Sequence, residues 1–395
     1  MWCARLALNR MEVAKMRHIG LCGLILAALL IGGCGKIELQ DTGIPLSVGA
    51  DLKDDQIDLA ICLANPLPTE KSTDNEPQFM VLNSSGSTFS EAIRNISLSF
   101  SDYPLWSHLQ LSIVGENLAR SDMSLVLDFI TRNRYVRKDL LIVVTHKVTP
   151  AEILSVKPIL APHPPTAIKK MLKIQEAETG IYTPMNYTEI LHRFLTAGIE
   201  PIIPMITIDR SGAEDRFLLD GMAVFKGRKM VGILNENESR GFRLMRPEQI
   251  RGGLFIMPSP LNRKNLVTLE LSRSQAKITP VFKDNQMIMK IQLKAEGNFY
   301  EQSGTDNLFT EPMFKRLEAA AEQELTQQIL DSIHKAQELN SDIFGWGEMV
   351  YRSDPRIWKT LEPKWDQIFP AVQSDISVDF SLRRSYLTDK SFVFR

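Results

Sequence analysis

Asp51, Asp54, Asp55 and Asp58 crowd four carboxylates into one short stretch, the kind of oxygen-rich grouping that can hold calcium. The stretch lacks the glycine at position six and the glutamate at position twelve of an EF-hand loop, so a solvated turn between two strands is the simpler reading. Glu236 and Glu238 in "NENESRG" offer an acid and a base for glycoside-type chemistry. Closeness in sequence says nothing about a substrate, and an exposed turn is the simpler account of them. His108, His146, His163, His192 and His334 are scattered, and none pairs with another at a helical or strand spacing that would chelate a metal. No HExxH, GxSxG, Walker loop or CxxC occurs. The expectation is therefore a protein without catalysis, metal or cofactor.

One cysteine does have chemistry written around it. Arg5, Arg10, Lys15 and Arg17 precede an uncharged run from Ile19 to Gly33, and the run ends in Ile31-Gly32-Gly33-Cys34. Basic, apolar and then small residues are the layout of a secretory signal. The apolar run, about 15 residues, falls short of the roughly 20 that a bilayer-spanning helix needs. The small residues before Cys34 resemble a bacterial lipobox, in which the thiol receives a diacylglyceryl group. Residues 1–33 are thus read as a lipoprotein signal peptide, with Cys34 as the lipid-attachment residue and the first of the mature chain. Two or more acyl chains hold a protein firmly on a membrane, whereas one holds it marginally.

Of four cysteines, Cys3 and Cys22 leave with the signal and Cys34 is consumed by lipid, so Cys62 stays alone and no internal disulfide forms. Its apolar setting, "LAICLANP", marks a buried and inert thiol. A net charge of −1, with 24% charged residues, gives no electrostatic reason to expect nucleic-acid binding. What remains of the 395 residues is long for one core and suits two or three domains.

The elements that would position these residues follow from pattern. Two strands around a turn are expected over Ile44–Pro66, a loop over Pro68–Ser90, a helix over Phe89–Leu98, and then alternating helix and strand up to "DLLIVVTH". The four prolines of "KPILAPHPP" make a rigid connector, followed by two short helices. A hairpin around "KGR" comes next, and then "VTLELSRSQAKITPVFKDNQMIMKIQLKAEGNF" is read as an antiparallel meander of three strands. Phe314, Leu317, Ala321, Leu325, Ile329, Ile333 and Ala336 step by three or four, which predicts a helix over 312–338 lying across that sheet. "DISVDFSLRR" is read as a last, central strand. The fold class is α+β and multi-domain: an α/β domain over 34–200, a small β-rich domain over 201–256, and a C-terminal α+β domain over 257–395, where an antiparallel sheet packs on one long helix.

The most aromatic stretch begins where that helix ends, "AQELNSDIFGWGEMVYRSDPRIWKTLEPKWDQIFP". Trp358 and Trp365 lie seven apart, near two helical turns, so both indoles can face one side. Either these rings lock the helix end to the sheet, or Trp346, Trp358 and Trp365 are candidate partner contacts, since Trp and Tyr dominate interface hot spots.

"QELNSDIFGWGE" and "RIWKTLEPKWDQIFPAVQSDISVDFSLRR" resemble the C-terminal signature of the Ger(x)C family, the lipoprotein C subunits of spore germinant receptors. "GMAVFKGRKMVGILNENESRG" is similar to that family's central segment, and "HLQLSIVGENLA" with "LDFITRNRYVR" to its N-terminal domain. The resemblance implies a three-domain lipoprotein on the outer face of the spore inner membrane. It also implies membrane-embedded A and B subunits as partners, and a germination response to small nutrients. A different class with the same anchor, an extracytoplasmic solute-binding lipoprotein of a transporter, is the alternative; it would build two α/β lobes around a cleft.

Overall fold

The computed structural model describes residues 41–65, 78–283 and 286–384. The signal segment 1–33 and Cys34 lie outside the described residues.

The first sheet starts as a hairpin of β1 (Thr42–Lys53) and β2 (Gln56–Ala64), turned at Asp54 and Asp55 with φ of 49° and 60°. Aspartate tolerates this left-handed region better than most residues. β3 (Phe79–Gly86) adds an antiparallel edge to β2, within the stretch expected to be loop. Its "LNSSG" half is polar because an edge strand faces water on one side, so composition alone reads as turn. Thr88 caps α1 (Phe89–Asn95) by accepting the amide of Glu91. β4 (Tyr103–Pro104) pairs with β1.

Next come β5 (Leu111–Val114), α2 (Glu116–Asp122), α3 (Ser124–Arg132), β6 (Leu141–Thr145), α4 (Pro150–Ser155), α5 (Pro164–Glu178), α6 (Tyr187–Leu195) and β7 (Ile202–Asp209). β1, β5, β6 and β7 run parallel in that spatial order. Short, mostly apolar and buried strands such as "LIVVT" are what a sheet covered on both faces requires. Alternate residues feed two cores: Ile142 and Val144 face one, Val143 with Ile113 and Leu111 the other, beneath Leu154 of α4 and Ile168 of α5. β8 (Arg216–Lys226) and β9 (Lys229–Leu234) then extend the sheet antiparallel from β7, giving the order β3-β2-β1-β5-β6-β7-β8-β9.

α7 (Glu236–Leu244) follows β9, and the second sheet holds β10 (Leu254–Pro258), β11 (Leu266–Lys283), β12 (Gln286–Gln302) and, at its far edge, β13 (Gln373–Arg384). The three-strand expectation over 267–299 gives way to two long strands. The polar "SRSQ" does not turn; it crosses opposite β12 through an irregularity between Leu271 and Arg273. β13 is an edge strand rather than a central one, and it runs parallel to β12 because α8 (Glu311–Glu338) carries the chain back between them. Its free edge is covered: Glu322 and Glu318 of α8 accept the amides of Phe380 and Leu382 at 3.2 and 2.9 Å.

α8 buries the expected stripe of Leu317, Ala321, Leu325, Ile329, Ile333 and Ala336, and also Gln328 and Ser332. The second set lies under α7, where Gly241 lets the two helices touch: a Cβ there would sit 1.9 Å from the Gln328 carbonyl oxygen. The chain ends in α9 (Trp346–Ser353), α10 (Pro355–Leu361) and α11 (Trp365–Ile368) before β13.

Candidate functional site

The aromatic stretch folds into a corner where the end of α8 meets the entry to β7. Gly345, with φ of 74°, turns the chain out of α8 and into α9. Gly347 then approaches Gly198, itself at φ 79°, so closely that a Cβ would lie 2.6 Å from the Gly198 Cα and from the Trp358 ring. The amide of Glu348 donates to the Gly198 carbonyl at 3.0 Å, and that of Glu200 donates to the Asp342 carbonyl at 2.8 Å.

Asp342 is the centre of the corner, although no motif in the sequence marks it. Its carboxylate is buried and accepts the amides of Trp346 (3.0 Å) and Gly347 (2.9 Å) and the indole Nε1–H of Trp365 (3.1 Å). Burial pushes its pKa up to about 6, against the donors that pull it down. The signal was there to find: an aspartate just before a Gly-Trp-Gly helix start is placed to satisfy that helix's first free amides. Arg193 reaches in from α6, donating to the carbonyls of Ile343 (2.8 Å) and Glu200 (3.3 Å) while its guanidinium lies over the Phe242 ring. Burial lowers its pKa to about 10, which leaves it charged at neutral pH.

Trp346, Trp358 and Trp365 are 0%, 5% and 6% exposed. Trp358 and Trp365 do meet, edge to face with centroids 5.2 Å apart, across a break between α10 and α11 rather than along one helix. Trp346 stacks on Phe344 and leans on Phe369. The rings themselves are interior, and the exposed side chains of α9 beside them are Tyr351 and Arg352.

The other residues with apparent chemistry are dispersed. Asp51 turns inward and accepts the amide of Leu118 at 3.1 Å, tying β1 to α2, and burial raises its pKa. Glu236 and Glu238 start α7 rather than lining a turn: Asn235 and Glu238 form a reciprocal capping box, and Glu236 pairs with Arg240. His146 bonds Asp220 at 2.8 Å. Among the described residues no three His, Cys, Asp or Glu side chains gather in a way that could hold a metal. Cys62 is fully buried, and burial pushes its thiol pKa up to about 12.

Compared with known families, residues 35–208 match the spore germination protein N-terminal domain, and residues 220–386 match the family described as spore germination B3/GerAC like, C-terminal. The chain belongs to this spore germination family. The Ger(x)C resemblance read from the sequence therefore holds. Spore germination protein KC of Bacillus subtilis (strain 168) is 25% identical over 388 residues, covering 92% of this chain and 95% of its own. Spore germination protein B3 of the same organism is 24% identical, covering 90% and 94%. The crystal structure of the GerBC protein aligns with a TM-score of 0.54 at 21% identity over 85% of this chain and 96% of that one, which shows a shared α+β fold. In this germination family member the two matched segments meet inside one sheet: the first ends in β7 and the second begins in β8.

Proposed function

We propose that this chain is the lipoprotein C subunit of a spore germinant receptor, needed for nutrient-triggered germination and acting through protein contacts. The observation that carries the reading is the match of both halves of the chain to spore germination families, with curated relatives aligned over about nine-tenths of its length. On this reading Cys34 carries acyl chains and pins the body to the outer face of the spore inner membrane. Its partners there are the membrane-embedded A and B subunits. Among the described residues no helix is long and apolar enough to cross a membrane, so the anchor assigned to Cys34 is what the reading relies on for attachment. The Asp342 corner serves by holding α8, α9 and the β7 entry as one rigid piece, so that a contact at α9 or α10 is transmitted to the first sheet. No reaction is assigned to the body.

The test is complementation, in a strain whose other germinant receptors have been deleted. The wild-type chain restores the nutrient response and Cys34→Ala, made at equal level, does not. Full restoration by Cys34→Ala contradicts the anchor, and a response that survives without any copy contradicts the role.

A further inference from the structure

The connector between α4 and α5 carries an unusual surface. Within "KPILAPHPP", Leu160 is 95% exposed and Ile159 66%, and Ile174 on the adjoining face of α5 is 61% exposed. Soluble proteins expose single apolar residues freely, but several together around one groove call for an occupant. Here the groove is about 460 Å³ and is walled by the connector, by Met171 and Ile174 of α5, and by Phe217 at the start of β8. Prolines 158, 162, 164 and 165 restrict the connector, so Ile159 and Leu160 are presented without the ordering cost a loose loop would incur.

Two observations identify the occupant as a lipid surface. The first is charge: Lys157 and Lys170 line the groove and Lys173 lies one turn along α5, and none of the three makes an ion pair among the described residues. Unpaired cations around exposed aliphatic side chains match an anionic headgroup layer over hydrocarbon. The second is position. His163, at the end of the connector, is hydrogen-bonded to the backbone of Gln78, next to Phe79; Phe79 pairs with Ala64, which pairs with Ile44 near the start of β1. The last residue of the connector thus lies at the β3 edge, two strands across from the start of β1. Cys34 and Thr42 are eight residues apart, a tether of at most about 30 Å. An acylated Cys34 would keep the start of β1, and the β3 edge two strands from it, within reach of the bilayer.

We infer that the 157–163 connector is a second, peripheral membrane contact, in which Ile159 and Leu160 enter the interface of an anionic bilayer while Lys157, Lys170 and Lys173 sit among its headgroups. This deepens the lipid-anchor reading and rests on it for orientation, but its test does not use the anchor. The chain from residue 34 onward, carrying Cys34→Ser so that no acyl chain contributes, is sedimented with vesicles of equal parts phosphatidylglycerol and phosphatidylcholine. It is expected to co-sediment, to be released by salt, and to stay in solution with phosphatidylcholine alone. Ile159→Glu with Leu160→Glu is expected to lower the bound fraction about tenfold at an unchanged Tm, since both side chains face water. Lys157→Glu with Lys170→Glu is expected to weaken binding and its salt dependence together. Binding that is absent on phosphatidylglycerol vesicles, equal on phosphatidylcholine, or indifferent to the Ile159 and Leu160 changes overturns the inference. In spores, a photo-crosslinker at position 160 is expected to capture lipid; protein adducts instead would overturn the bilayer assignment in favour of a partner subunit. Failure of the anchor reading shows separately, as an unmodified Cys34 by mass spectrometry.

Discussion

Asp342 concentrates the residue-scale energetics. In an unfolded chain an aspartate titrates near 3.8, and in the fold Asp342 titrates at about 6. Between those values the native state binds the proton more tightly, so stability from this group is greatest below about pH 4 and falls as pH rises to about 6. The drop is about 3 kcal/mol at most. Asp342→Asn removes the titration, so its urea midpoint should fall less than wild type across that window; parallel pH profiles would contradict the assignment. The two buried indoles at this corner should also differ. Trp365 Nε1 donates to Asp342, whereas Trp346 Nε1 is buried with no partner. Trp365→Phe should therefore cost about 1–2 kcal/mol more than Trp346→Phe in denaturant unfolding. Equal costs would show that ring volume alone matters. The aromatic run itself was legible from sequence, because tryptophans stand out in composition. The carboxylate that organises them was not, since its role depends on a turn that brings three donors back onto it.

At the scale of elements, what was legible is what repeats. The seven apolar positions of α8 step with the helix, and the described helix, Glu311–Glu338, spans the expected range. Its second buried face was invisible because Gln328 and Ser332 are polar; only the approach of α7 through Gly241 buries them. Gly241→Ala must push one helix backbone off the other and should cost about 3 kcal/mol. Thermal denaturation reads this directly, and a Tm equal to wild type would contradict the close crossing. Leu325→Ala, on the sheet-facing stripe, should cost about 2–5 kcal/mol by opening a cavity. The two strands that depart from their sequence pattern do so for one reason. Alternation reveals which face of a strand is apolar but not whether it has a neighbour on each side, so it does not distinguish the edge strand β13 from a central one, and β3, polar on its open side, has the composition of a loop.

For the whole molecule, the first sheet crosses the junction between the two family segments, since β8 and β9 from the second complete the sheet begun by the first. A fragment ending at residue 208 leaves the edge of β7 unpaired, with Ile202 and Ile203 losing their partners Val224 and Ala223. It should yield less soluble protein than a fragment extended through Leu244, and equal soluble yields would show that the halves fold independently. The family of the molecule was readable without coordinates because the aromatic C-terminal run and the central and N-terminal segments that resemble the family are local patterns. The Asp342 corner and the exposed Ile159–Leu160 connector arise only when distant segments meet.

The central claim is that this body works on a membrane by touching receptor subunits. The direct measurement is affinity purification of the tagged chain from detergent-solubilised spore membranes, with the co-purifying proteins identified by mass spectrometry. The account predicts an A and a B germinant-receptor subunit, each recovered with a chain acylated at Cys34. Recovery of the chain alone, from the soluble fraction and with a free Cys34 or an unprocessed amino terminus, would contradict it.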